Sequence, residues 1–187
     1  MKKVLFLLIT MIGVSAISQA QPRVPEMDKS PMDMSYFPAN YPVLKLQGKA
    51  PAAPIARIIY GRPQRDNRQI FGKLLEYGKV WRLGANESTE LEFFRNVKIA
   101  GKPVKKGRYT LYAIPDSSTW VFVLSKSIDT WGAFDYNAAN DILRVTVPVE
   151  KQAESVEDFS LFFDKTDTGC MLIAEWEYVK AGLPISL

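Results

Sequence analysis

The sequence predicts an all-β protein, an antiparallel β-sandwich of about eight to ten strands with one short helix or helical turn near residues 68–77. Two observations carry this. Apolar and polar residues alternate over several short runs, and Gly, Pro and Asp clusters separate those runs. A third observation excludes the main competitor: no apolar pattern at helical spacing is long enough for a βαβ unit, and no repeat recurs at a fixed period.

The elements follow in order. Residues 1–20 read as a signal peptide: Lys2 and Lys3 give a positive start, Val4 to Val14 an apolar stretch, and Ser18-Gln19-Ala20 the small residues before a cut. The apolar run is too short and wrongly flanked for a spanning helix, so no transmembrane segment is expected after cleavage. Gln21 follows the cut where a lipid anchor would need Cys. Residues 21–53 form a Pro-rich arm; seven of the 12 prolines fall between Pro22 and Pro54. Proline removes a backbone donor, so regular ladders are not expected to run through this arm. Its Met27, Met32, Met34, Tyr36, Phe37 and Tyr41 are too apolar for a pure spacer, and part of it is expected to lie extended against the domain. Leu44 and Leu46 alternate and suggest one short strand over Val43 to Leu46.

The β-sandwich domain is assigned to residues 54–187. Ile55 to Gly61 is a strand stopped by Gly-Arg-Pro. Ile70, Phe71, Leu74 and Leu75 recur at helical spacing and place the helix or helical turn, with Gly72 weakening it. Thr89, Leu91 and Phe93 share one face of the next strand. Gly101-Lys102-Pro103 turns the chain, and Gly107 opens a strand that runs to Ile114. Trp120, Phe122 and Leu124 mark the clearest strand. Leu143, Val145, Val147 and Val149 mark another, and Phe159, Leu161 and Phe163 a third. After the turn Asp164 to Gly169, the residues Cys170, Leu172, Ala174, Trp176 and Tyr178 are expected to line one face of the last strand.

Composition excludes several chemistries. The chain has no histidine, which removes the Ser-His-Asp and Cys-His arrangements, the usual zinc sets and the commonest base near neutral pH. Metal ligation and cofactors are therefore not expected. The single cysteine, Cys170, allows no intramolecular disulfide. Two of the 24 basic residues leave with the leader, so the formal charge of +4 falls toward neutral. That argues against a nucleic-acid partner, which would require a basic stripe.

Arg62-Pro63, Arg68, Ile70-Phe71-Gly72, Tyr77-Gly78, Val80-Trp81-Arg82 and Gly84-Ala85-Asn86-Glu87 together form a pattern, continued by Gly107 to Leu111, Ile114-Pro115 and Trp131-Gly132. On these residues the chain, over roughly Ala50 to Tyr178, resembles the exported bacterial domain family of unknown function numbered twenty-nine-eleven. The resemblance implies a secreted or periplasmic β-rich domain of an envelope-bearing bacterium, and no activity, substrate or cofactor. Family members often carry Gly before the arginine that matches Arg68. Here Asn67 stands in that place, and Asn also tolerates positive φ.

The stretch Tyr60 to Glu92 concentrates directional polar groups: Tyr60, Arg62, Arg68, Trp81, Arg82, Asn86, Glu87 and Glu90 are the candidate binding residues, with Arg65 beside them. Guanidinium forks match carboxylates and phosphates, and aromatic rings stack on sugars, so a glycan or an anionic small molecule is one reading. The other is structural and takes precedence: Arg62 or Arg82 pairs with Glu87 or Glu90 and pins an irregular loop. Glu87 and Glu90 could serve as the carboxylate pair of a glycan hydrolase, although spacing alone shows no cleft. No catalytic residue is assigned. Asp129 to Asp141, with Trp131, Phe134 and Tyr136, reads as an aromatic platform for sugars or as a cap on the sandwich, the cap being favoured. Asp164 to Gly169 lacks the pattern of a calcium loop and reads as a hairpin turn. Cys170 reads as an inert buried thiol, and Tyr109 as a corner whose phenol bonds nearby backbone.

The expected role is a non-catalytic binding or interaction domain of the bacterial cell envelope, exported to the periplasm or beyond. The alternatives are a carboxylate-based glycan hydrolase, and a structural partner of another envelope protein that docks through a strand edge or the arm.

Overall fold

In the computed structural model, residues 24–187 are described; the expected signal peptide lies outside them. Nine strands form one antiparallel sheet: β1 (Met32–Phe37), β2 (Ala56–Gly61), β3 (Glu90–Phe93), β4 (Val97–Ile99), β5 (Lys102–Val104), β6 (Gly107–Pro115), β7 (Thr119–Ser125), β8 (Asp141–Thr166) and β9 (Gly169–Ser186). Their order in space is β1-β2-β3-β6-β7-β8-β9-β4-β5, so the sheet is open, with β1 at one end and β5 at the other. Among the described residues a helix α1 (Tyr41–Leu46) and one 3-10 turn at Ala138–Asn140 complete the set.

The sheet is sandwich-like because β8 serves both layers. Its first part pairs with β7, from Asp141 to Pro148, and its remainder pairs with β9, from Val149 to Thr166. Between Lys151 and Ser160 the ladder with β9 shifts twice. Bulges of this kind bend a strand and increase its twist, and here they carry β8 across the core. Past the bend, Arg65 N–H donates to Glu157 O at 2.8 Å and Phe159 N–H to Pro63 O at 2.9 Å. The chain leaving β2 is thereby tied to the opposite layer.

The expected inward faces are the observed ones for most strands. Leu91 and Phe93, then Trp120, Phe122 and Leu124, then Phe159, Leu161 and Phe163 are all buried. At the centre, Trp81 stacks on Trp176 with ring centroids 6.0 Å apart, and Phe71, Trp120 and Phe159 close around them. Aromatic contacts at such offsets are favourable beyond the area they bury.

The structure corrects four local expectations. The arm does carry a regular ladder: all six residues of β1 pair with β2, from Met32↔Gly61 to Phe37↔Ala56. This is possible because Pro31 and Pro38 bracket β1 and none interrupts it, and an edge strand needs donors on one side only. Val43 to Leu46 is helical, with Pro42 in the first turn where its missing N–H is harmless. The Tyr41 hydroxyl anchors that helix by donating toward Pro51 O and Ala52 O at 3.0 and 2.8 Å. Over 68–77 the chain makes turns and no helix. Gly72 sits at φ 81, and the Ile70 and Phe71 N–H groups donate to the Glu177 carboxylate instead of to the backbone of a helix. Finally, Tyr178 is exposed and Glu177 buried. Glu177 has φ 55, which flips the alternation of β9, so Ala181, Leu183 and Ile185 continue the core from the other parity.

Candidate functional site

The eight candidate residues do not form one site. Tyr60 and Arg62 lie at the end of β2 and face β1 and β8. The Tyr60 hydroxyl donates to Asp33 Oδ2 at 3.1 Å; Arg62 donates to the same oxygen at 2.9 Å and to Ser160 Oγ at 3.0 Å. Burial first, with Asp33 adding to it, pushes the Tyr60 phenol up to about 12. This cluster fastens the arm and β8 to β2. Arg68 folds back on its own loop, Nε donating to Arg65 O at 2.9 Å, while Asp66 and Asn67 hold φ near 50 and 56 to make the turn. Trp81 is a core residue whose indole N–H donates to Gly84 O at 3.0 Å. Arg82 donates to Asn86 O at 3.2 Å. Neither Arg62 nor Arg82 pairs with Glu87 or Glu90. Asp33 takes the first, a backbone carbonyl takes the second, and Glu90 is held by Arg108 at 3.3 Å.

Glu87 and Glu90 belong to a different place, an open pocket of about 320 Å³ also lined by Met32, Ile59, Ser88, Thr110, Asp129, Thr130 and Trp131. Its floor is the outward face of three strands. Ile59 of β2, Glu90 of β3 and Thr110 of β6 stand side by side in register. Its wall is the loop after β7, laced to the turn before β3. Ser88 N–H donates to Thr130 O at 3.0 Å, Gly132 N–H to Asn86 O at 3.0 Å, and Glu87 and Trp131 form an isolated antiparallel bridge. The Ser88 and Thr130 hydroxyls lie 2.8 Å apart, and Ser88 also donates to Gly132 O. Arg108 crosses from β6 to bond both Asp129 oxygens at 2.8 and 2.7 Å.

These contacts decide what the pocket can do. Glu87, Glu90 and Asp129 line it and one guanidinium, Arg108, pairs with the latter two, so it is acidic. Partial burial holds the Glu90 carboxyl above its usual range, against the opposing pull of Arg108. Trp131 is 55 % exposed and therefore presents its ring to solvent, and Phe134 is exposed as well. Of the three aromatics of this loop, only Tyr136 caps the fold, its hydroxyl donating to Asp141 Oδ2 at 2.7 Å and its ring meeting Tyr112 edge-on. Sequence reasoning singled out Glu87 and Glu90 as partners of nearby arginines and missed Arg108, Asp129 and Thr130 as their neighbours. Those residues come from β6 and from the loop after β7, and only the strand register and the loop lacing bring them together. The Gly-Arg-Tyr start of β6 was a usable signal: the Tyr109 hydroxyl bonds Lys105 O at 2.9 Å and fixes the corner from which Arg108 reaches out.

Other candidates are closed. Cys170 is buried, and burial pushes its thiol up to about 12, where almost no thiolate exists at neutral pH. Among the described residues no three His, Cys, Asp or Glu side chains gather to hold a metal ion, and no helix is long and apolar enough to cross a membrane.

No curated protein and no solved structure matches the chain. The family described as Protein of unknown function (DUF2911) matches residues 46–185, which span β2 to β9 and all of the acidic pocket except Met32; the chain belongs to that family.

Proposed function

We propose that the protein is an exported, non-catalytic binding domain of the bacterial cell envelope, and that the Trp131 pocket takes a sugar ring of a neutral or amino-bearing glycan. The observation that carries this is the exposed Trp131 ring set beside Glu87, Glu90 and Asp129 in one pocket. A sugar has an apolar C–H face that stacks on an indole, and hydroxyl pairs that donate to carboxylates. The Thr110 hydroxyl adds a group that both donates and accepts, and the Ser88 and Thr130 oxygens, whose protons are used within the loop, add acceptors. An anionic ligand fits this pocket poorly, because its carboxylates would repel it. The Lys2 to Ala20 leader supports export.

The test is titration with neutral and amino oligosaccharides, followed by tryptophan fluorescence and calorimetry. Trp131→Ala should weaken binding at least about tenfold, which is the usual scale for a lost stacking ring, and leave the melting temperature unchanged. Absence of binding by any such glycan, or equal binding by Trp131→Ala, would overturn the reading.

A second reading rests on one observation: two carboxylates of unlike surroundings, Glu87 and Glu90, line the same pocket, and the Glu90 carboxyl is held high. That is the pattern of an acid and its partner in glycan hydrolysis. Turnover that disappears in Glu90→Gln or Glu87→Gln while sugar binding persists would establish it in place of the first.

A further inference from the structure

A second groove lies on the other side of the same loop. It measures about 440 Å³ and is lined by Leu74, Leu75, Lys79, Arg82 and Phe134, with the buried Trp81 at its base. Trp131 and Phe134 are only three residues apart, yet they line different cavities. We propose that this groove binds a small amphipathic anion, its carboxylate or phosphate meeting Arg82 and Lys79 and its short alkyl or aryl tail lying against Leu74, Leu75 and Phe134. The proposal is independent of the glycan reading.

Charge complementarity selects the occupant. Arg82 uses one guanidinium nitrogen to donate to Asn86 O, which aims the fork, and it has no carboxylate partner among the described residues. Lys79 is exposed on the same rim. Glu76 is the single carboxylate lining the groove, so two cations face one anion. A guanidinium with free N–H groups is suited to carboxylate and phosphate oxygens.

The apolar half is equally specific. Phe134 is 79 % exposed and Leu74 is 49 % exposed, so the groove presents two large apolar side chains to water. The Phe134 ring lies over Gly132, where a Cβ would come within 2.9 Å of two ring carbons, so the glycine is what lets the ring approach the loop backbone. Covering such surface is favourable in proportion to its area, and the volume falls in the range of small-molecule sites.

The probes are octyl phosphate and decanoate as monomers, with octanol and octyltrimethylammonium as controls, read by the fluorescence of the tryptophans and by calorimetry. Octyl phosphate should bind saturably, and octanol and the ammonium at least about tenfold more weakly, the usual worth of a charge-assisted contact. Arg82→Gln should weaken octyl phosphate about tenfold or more, and Phe134→Ala should remove the preference for a longer tail. If Arg82→Gln fails to fold, Lys79→Gln, whose ammonium is exposed, carries the same expectation at a smaller size. No saturable binding up to about 1 mM, equal binding of octanol, or no loss in the folded variants would overturn the proposal. So would binding to vesicles containing phosphatidic acid but not to monomeric octyl phosphate.

Discussion

Glu177 stands in β9 at φ 55, 9 % exposed, with its two carboxylate oxygens accepting the Ile70 and Phe71 N–H groups at 3.2 and 3.3 Å. Buried donors left without acceptors cost about 1 to 3 kcal/mol each. Glu177→Ala should therefore lower stability by about 2 to 4 kcal/mol in urea denaturation, with the loss concentrated on the 68–77 turns and visible as faster amide exchange there. Alkaline titration gives a second expectation. Burial raises Cys170 from 9.0 to about 12 and Tyr60 from 10.0 to about 12. Above pH 9 the unfolded chain releases protons that the folded chain keeps, so the unfolded state gains. The stability these groups contribute is complete below pH 9, and should fall by about 1.4 kcal/mol per pH unit for each group, from pH 9 for Cys170 and from pH 10 for Tyr60, as pH rises toward 12. Denaturation midpoints measured from pH 8 to 11 check this, and a flat profile contradicts it. At this scale little was legible. The sequence shows Glu177 as one of four acidic or aromatic residues, Glu175 to Tyr178, at the end of an alternating run, and nothing in it announces a left-handed backbone. The inertness of Cys170 was legible, because a chain without histidine offers its thiol no ordinary base.

Alternation made most strands readable, since one buried face on a period of two is a strong signal. Trp120 is the test of that logic. It is fully buried, yet its indole N–H has no partner. Trp120→Ala should cost about 3 to 5 kcal/mol. Trp120→Phe should cost less than about 1.5 kcal/mol, because it keeps a ring and removes the orphaned donor. Thermal melts of the two variants decide the point, and equal losses would refute it. What alternation could not show is continuity. The runs around Val145 and Leu161 read as separate strands, but β8 carries both through its bulges. Bulges keep a strand together while erasing the pattern that reveals it. Gly61 was read only as a strand stop. It also lets the 84–86 turn close on β2, for a Cβ there would lie 2.2 Å from Ala85 O.

At the scale of the whole molecule, the arm is part of the sheet. The family match begins at residue 46, which leaves β1 outside it. Yet β1 supplies Phe37 to the core, Asp33 to Tyr60 and Arg62, and Met32 to the rim of the acidic pocket. A chain cut to begin at residue 46 should therefore melt well below one that begins at residue 30, by the equivalent of about 3 to 5 kcal/mol for the lost ring and the orphaned charge. Limited proteolysis of the longer chain should trim it no further than Met32. The candidate site was half legible for a related reason. Sequence proximity gathered arginines and carboxylates into one list, and the fold then dealt them to four places, by pairings as local as Arg68 with Arg65 and as distant as Arg62 with Ser160.

An open sheet also offers a neighbour two places to add a strand, and here they differ. The β5 end is three residues long, with Pro103 between Lys102 and Val104, so it has one donor fewer and a charge at its start. A partner strand that adds by backbone pairing is therefore expected at the β1 end in preference to β5. Two copies joined there would use up the available seam, and growth into a fibre would halt at the pair.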